Sequence, residues 1–171
     1  MNIRPALLSE LDVIMPLYDQ GRAFMRKSGN QNQWIHGYPK REMVADDIRQ
    51  GHLFLAEEAG ETAAVFCFFY GEDVEPTYRV IDGAWTAEGP YGVIHRIAST
   101  GKFPRMVEVC TDWCLDQCPS LKIDTHRDNV PMRAALERCG FSYCGVIVID
   151  DGSERVAYQK VKKIFPGGEG L

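Results

Sequence analysis

The sequence predicts one α/β domain built on a mixed sheet, and three observations predict it. From Tyr91 to Cys139 the apolar pattern switches between the two-residue and 3.6-residue periods in the order strand, helix, strand, helix. That is the pattern of a parallel βαβ step. Hairpin turns lie on either side of it, at Ala59-Gly60-Glu61 and at Asp150-Asp151-Gly152-Ser153. The chain has 171 residues, 45% of them hydrophobic and 25% charged, enough for one domain with a sizeable core. Residues 1–163 are expected to form that domain, and residues 164–171, with Pro166-Gly167-Gly168, a flexible C-terminal tail.

Taken in order, Asn2 to Ala6 reads as a short strand. Ser9 reads as a helix N-cap with Asp12 as a weak capping box, and Leu8 and Val13 hold staple positions. Leu11, Ile14, Leu17/Tyr18 and Phe24 continue at helical spacing to Lys27. Pro16 within that run is expected to kink the helix or end its first segment. Ser28 to Tyr38 is a polar loop whose Trp34 and Tyr38 either anchor it to the core or line a pocket. Pro39 opens a second helix with Met43, Val44 and Ile48 inward, stopped by Gly51. His52–Glu58 and Thr62–Tyr70 form a hairpin, and its apolar second arm reads as a covered central strand. Gly71 to Pro90 is irregular and carries Glu72, Asp73, Glu75, Asp82 and Glu88. It is either a solvated loop or an acceptor-binding wall whose carboxylates attract a cationic amine.

Tyr91 to Ser99 is the next strand and Pro104 to Cys118 the next helix. Leu121 to His126 is a strand, and the Asp128-Asn129 cap starts a helix with Pro131 in its first turn and Gly140 just past its end. Tyr143–Ile149 and Arg155–Val161 close the sheet. The stretch Tyr91–Val107 stands out because a strand there feeds a short loop and a helix N-terminus. That arrangement aims backbone amides at one place and suits an anion, although Gly101-Lys102 also reads as an ordinary turn.

The net charge of −5 argues against nucleic acid and anionic membrane as partners and suits a cationic small substrate. No run is long and apolar enough to span a membrane, and the start has no export signal, so a cytoplasmic location is expected. The six cysteines include no Cys-x-x-Cys pair. Cys110, Cys114 and Cys118 recur along one helix face and read as small buried hydrophobes in a reducing compartment, with no metal expected.

IRPA at the start, IHRIAS before the loop and DTHRDNVPMRAALERCGF near the end together resemble the GNAT superfamily of N-acetyltransferases, over about residues 2 to 160. QW…YP, Trp85, IHRIA and DTHRDN resemble one bacterial branch of it. The resemblance implies a mostly antiparallel mixed sheet splayed at a central parallel strand pair, with helices on both faces and acyl-coenzyme A in the cleft. It implies acetyl-CoA as acyl donor and direct transfer to an amine.

Three sites follow from the resemblance. Lys102 falls at the Gln/Arg position of the pyrophosphate loop, with Arg105 and Val107 where the family has glycine, Arg105 offering a charge-assisted bond in compensation and Gly101 able to take the tight turn. Ile97 and Ala98 supply backbone amides to the pantetheine arm and the thioester carbonyl. Asn129 matches the turn residue that contacts the cofactor arm, or is simply an N-cap. For the amine's proton the candidates are His95, then His126, then His36. His95 shares a strand face with Val93 and Ile97 by alternation, so a half-buried structural histidine is the competing reading. The family's general-acid tyrosine maps to Leu136, which leaves Tyr91, Cys139, Tyr143 or solvent to protonate the thiolate.

The function expected is acetyl transfer from acetyl-CoA to a primary amine of a small-molecule or amino-acid-like acceptor. The alternative is a catalytically degenerate CoA-binding or sensor domain of the same fold. Oligomeric state is open, a homodimer included.

Overall fold

The computed structural model describes residues 1–163, so the tail expected at 164–171 lies outside the described residues. Its strands are β1 (Asn2–Pro5), β2 (Leu53–Glu58), β3 (Glu61–Gly71), β4 (Asp82–Gly83), β5 (Tyr91–Ser99), β6 (Ser120–Thr125), β7 (Ser142–Val148) and β8 (Glu154–Val161). Its helices are α1 (Leu11–Lys27), α2 (Arg41–Arg49), α3 (Met106–Asp116) and α4 (Val130–Arg138). All eight strands join one sheet in the order β1-β2-β3-β5-β6-β8-β7-β4. Every neighbouring pair is antiparallel except β5–β6.

The parallel pair positions the site. Its pairing covers only Gly92 with Leu121 and Val93 with Lys122, and beyond these the two strands separate. The remainder of β5, Ile94–Ser99, therefore has no strand partner on its β6 side.

Helices cover both faces. Ile14, Leu17 and Tyr18 of α1 and Val44 and Ile48 of α2 pack on Leu53, Leu55, Val65, Cys67 and Ala98. Cys110, Cys114 and Leu115 of α3 and Leu136 of α4 pack on Phe66, Ile94, Leu121, Ile123 and Tyr158 across the sheet. Tyr78, Tyr91, Val93, Ile147 and Ala157 close the rest of the α1/α2 face under the 74–91 segment. All six cysteines are free, and all but Cys139 are buried.

Several local expectations are corrected. Ser9 is not the N-cap: a 3-10 turn at Leu8–Glu10 precedes α1, and Glu10 accepts the amide of Leu7 at 2.8 Å. Leu8 and Val13 are exposed rather than stapled, and Phe24 faces solvent while Met25 is buried. Helix α1 continues past Pro16 to Lys27, so the proline does not end a first segment. Its apolar stripe, Ile14–Leu17–Tyr18–Met25, is buried against the sheet, and that packing outweighs one lost backbone bond. Pro39 lies before α2, and Met43 turns away from the core to the cleft. The two-residue strand β4 has no sequence signal of its own. It pairs with β7 through Gly83 and Gly145, where a Cβ on Gly83 would lie 2.1 Å from the Cys144 carbonyl oxygen.

Candidate active site

The site begins with a bulge in β5. Register against β3 runs Cys67–His95 and then Val65–Ala98, so Arg96 and Ile97 together oppose one residue. Arg96 takes a left-handed conformation with φ 51°. Such a conformation is uncommon for a side chain as large as arginine and needs outside support. Support comes from Asp47 of α2, whose two carboxylate oxygens accept from Arg96 Nη2 at 2.9 and 2.8 Å, and from the Tyr38 hydroxyl 3.0 Å from Nη1. The bulge also overturns simple alternation. Ile97 joins Ile94 on the α3/α4 face, whereas His95 stays with Val93 on the other.

Between the diverging strands lies a cleft of about 580 Å³ that passes through the sheet. Ile94, Ile97, Ile123 and Met132 line its α3/α4 side. Trp34, Tyr38, Glu75, Thr77, His95 and Arg155 line the other. Trp34 meets both expectations for its loop. It packs edge-on against Tyr18 with centroids 5.7 Å apart and lies over Gly21, and it also walls the cleft. The loop is tied down by Arg26, which donates to the carbonyls of Asn30, Gln33 and Trp34 at 2.8–3.0 Å.

His95 Nε2 lies 2.7 Å from Glu75 Oε2. Burial alone would raise the Glu75 pKa. The hydrogen bond and charge of His95, helped by the amide and hydroxyl of Thr77, outweigh it and hold the carboxyl at about 2. Glu75 is thus ionised at neutral pH and fixes the His95 ring. Of the acidic residues in the 71–90 segment, Glu75 alone faces this cleft; Asp73 is bound to Arg79, and Glu72 and Glu88 border a separate pocket with Tyr91 and Lys122. The sequence treated that segment as a block, because nothing in it distinguishes the one residue that turns inward.

Asp124, at the end of β6, accepts from the buried Tyr78 hydroxyl at 2.6 Å and lines the cleft. Asn129 caps α4, accepting the Met132 amide at 3.3 Å, and also lines the cleft. Its Nδ2 donates to Gln33 Oε1 at 3.1 Å, joining the aromatic loop to the strand end.

The other expected residues fall elsewhere. His126 does not line the cleft: its Nδ1 accepts the Asp128 amide at 3.1 Å, and its pKa is lowered by burial first and then by the charge of Arg155. A neutral imidazole that holds a turn explains both. Tyr91 is buried at the far end of β5 and borders the second pocket. Neither Cys139 nor Tyr143 reaches the cleft, and Leu136 is wholly buried in the core. His36 does line the cleft, on the loop side.

Ile97 borders the cleft, and Ala98 is packed under Gly21 in the α1/α2 core. Gly101 has φ 75°, with open space where a side chain would project. Lys102 is exposed and bonded to Glu61 at 2.9 Å. Arg105 is in the left-handed region, φ 60°, at the N-cap of α3, the conformation that favours glycine. Its exposed guanidinium is engaged by Glu108 at 2.5 and 2.6 Å. Val107 packs against the α3/α4 core.

Comparison with known proteins settles the family. A GNAT-family acetyltransferase structure from Streptococcus agalactiae shares 33% identity, with 95% of this chain and 96% of that chain covered and a TM-score of 0.85. This chain belongs to the GNAT family of acetyltransferases. A putative acetyltransferase from Staphylococcus aureus has the same fold at 21% identity, with 94% and 99% covered and a TM-score of 0.66. The NatB acetyltransferase complex bound to CoA and MES does so at 12% identity, with 94% and 99% covered and a TM-score of 0.60. No protein-family model and no curated protein matches the chain.

The GNAT fold implies an acyl-coenzyme A, and the residues present suit one. The β5 edge from Ile94 to Ser99 offers backbone groups with no strand partner to an extended amide-bearing arm. Asn129 and Met132 stand across the gap. The open turn at Gly101 and the start of α3 lie where that edge ends. Among the described residues no helix is long and apolar enough to cross a membrane, and no cluster of potential metal ligands occurs.

Proposed function

We propose that this GNAT-family protein transfers an acetyl group from acetyl-CoA to a primary amine of a small-molecule or amino-acid-like acceptor. The observation that carries the reading is a through-sheet cleft whose two sides suit different jobs. One side is an apolar channel along an unpaired strand edge; the other holds an ionised carboxylate against a histidine.

Acetyl-CoA supplies the activated acyl group as a thioester. The β5 edge holds the extended arm by strand addition, and an amide near the bulge donates to the carbonyl oxygen, where negative charge develops. An alkyl ammonium, with an ordinary pKa near ~10.4, must lose a proton before it can attack. Glu75 Oε2 accepts from Nε2–H of His95, which leaves Nδ1 as the base that takes that proton directly or through water. The neutral tautomer that can do so is the one Glu75 selects. Solvent protonates the departing thiolate, since Leu136 occupies the place of the family's tyrosine. A cytoplasmic place of action goes with this donor.

Thiol release from acetyl-CoA across a panel of amines tests the reading, with turnover expected for at least one class and loss of turnover in His95→Ala. A second reading, a CoA-binding or sensor domain without turnover, is favoured by Arg105 and Lys102 being paired to glutamates and by Leu136. Calorimetric binding of coenzyme A without turnover of any amine would select it.

A further inference from the structure

The cations that line the cleft are not equivalent. Arg96 is neutralised by Asp47 and donates to the Tyr38 hydroxyl, and His95 is bound to Glu75. Arg155 is 7% exposed, yet among the described residues no carboxylate lies within ion-pair distance of it. Its Nη1 donates to two neutral oxygens, Ser153 Oγ at 3.0 Å and the Glu154 carbonyl at 2.8 Å. Its Nε and Nη2 make no bond to the described residues, and neither is a sealed-off buried atom. Both therefore keep some solvent access, and Arg155 lines the cleft. Asp151 bonds the same Ser153 hydroxyl and feels the charge of Arg155, but it makes no direct ion pair with the guanidinium. A guanidinium taken largely out of water without a directly bonded counter-charge is costly, and Nε with Nη2 forms the planar fork that matches a carboxylate.

Its place in the sheet separates it from the donor. Val156 and Tyr158 of β8 face the α3/α4 side, and Ala157 the other. Alternation puts Arg155 with Ala157, on the face that carries His95 and away from the loop that starts α3.

We propose that Arg155 holds a carboxylate of the acceptor, so that the substrate is an amino acid or a close analogue carrying an amine and a carboxylate together. The amine is then presented toward His95 and Glu75 while the carboxylate is clamped by Nε and Nη2. This rests on the acetyl-transfer reading of the same cleft, and the experiment separates the two.

The experiment compares amino acids with their decarboxylated amines and their carboxamides as acceptors, in wild type, Arg155→Gln and Arg155→Lys. The ratio of kcat/KM for each amino acid over its decarboxylated amine is expected to exceed about tenfold in wild type. It should collapse toward one in Arg155→Gln, through KM rather than kcat, and recover in part in Arg155→Lys. Carboxamides are expected to behave as the amines do. A ratio near one in wild type, or a ratio unchanged in Arg155→Gln, overturns the proposal. Calorimetric binding of N-acetyl amino acids supplies a readout that needs no turnover. Binding that depends on Arg155 in a protein turning over no amine would sink the acetyl-transfer reading and keep the carboxylate site. No binding and no turnover would overturn both.

Discussion

Arg96 donates through one nitrogen to both carboxylate oxygens of Asp47, at 2.9 and 2.8 Å, and this ion pair fastens helix α2 to the bulge in β5. Both side chains are 12% exposed, so the pair is largely desolvated. It holds the one residue of β5 with positive φ, and the bulge at that residue turns Ile97 to the α3/α4 face while His95 stays on the other. Asp47→Ala leaves a buried guanidinium without its carboxylate and should cost about 3–5 kcal/mol, read as a lowered urea midpoint. Coenzyme A affinity should fall as well, because the bulge loses its brace. An affinity unchanged in the folded fraction would mean that the bulge holds without it.

Glu75→Gln keeps the shape of the Glu75–His95 pair and removes its charge. A neutral amide cannot select the tautomer that leaves Nδ1 basic, so kcat should drop on the order of 10²-fold with KM little changed. The same carboxylate predicts a pH effect on stability. Its pKa is depressed from 4.5 to about 2, so its contribution is present above pH 4.5 and is lost as pH falls toward 2. The stability difference between wild type and Glu75→Gln should therefore shrink over that window in acid-titrated urea melts.

Arg105→Gly places at the α3 N-cap the residue whose backbone adopts φ 60° without the side-chain penalty. The exposed bond to Glu108 that is lost stabilises little. The protein should melt no lower than wild type, and with the side chain gone the loop amides can approach phosphate. Coenzyme A should bind roughly threefold to tenfold more tightly, the worth of one added backbone hydrogen bond. Weaker binding in calorimetry would instead show that the arginine itself meets the phosphates.

Lys122 is buried with its Nζ 3.8 Å from the Tyr91 ring centroid and 4.1 Å from that of Trp85. Burial lowers its pKa from 10.5 to about 8. The unfolded chain keeps this proton up to pH 10.5 and the folded chain sheds it near 8, so its contribution to stability rises with pH across that interval. Cys67 and Cys110, pushed by burial from 9 to about 12, act in the opposite sense above pH 9. The comparison with Lys122→Met isolates the lysine. Wild type should gain on the variant on the order of 2 kcal/mol between pH 8 and 10, in urea melts taken at each pH.

The element order and the parallel step are legible because Tyr91–Ser99 and Asp124–Phe141 carry strong local signals: alternation, an Asn cap, a closing glycine; the splaying of that pair comes only from the family resemblance. Ile97 and Asn129 as site residues follow from the family resemblance, and His95 from its place on the strand that, by that resemblance, leads to the thioester. The structure shows each of them bordering the cleft. Arg96, Asp47 and Arg155 were not legible as site residues. An arginine in a strand that starts a bulge looks like any other surface cation until its register against β3 is known. Asp47 reads as a helix charge, and its partner lies 49 residues away. His126 was overvalued for the same reason, since position at a strand end does not say whether a ring points into the cleft or caps the next turn. Alternation also misplaced His95 relative to Ile97, because a period of two does not survive an inserted residue.

The most direct test is steady-state thiol release from acetyl-CoA with a panel of amino acids and simple amines, run on protein shown by calorimetry to bind coenzyme A. Saturable release that requires an amine and is lost in His95→Ala is the predicted result. Cofactor binding with no release for any amine would contradict acetyl transfer by this cleft.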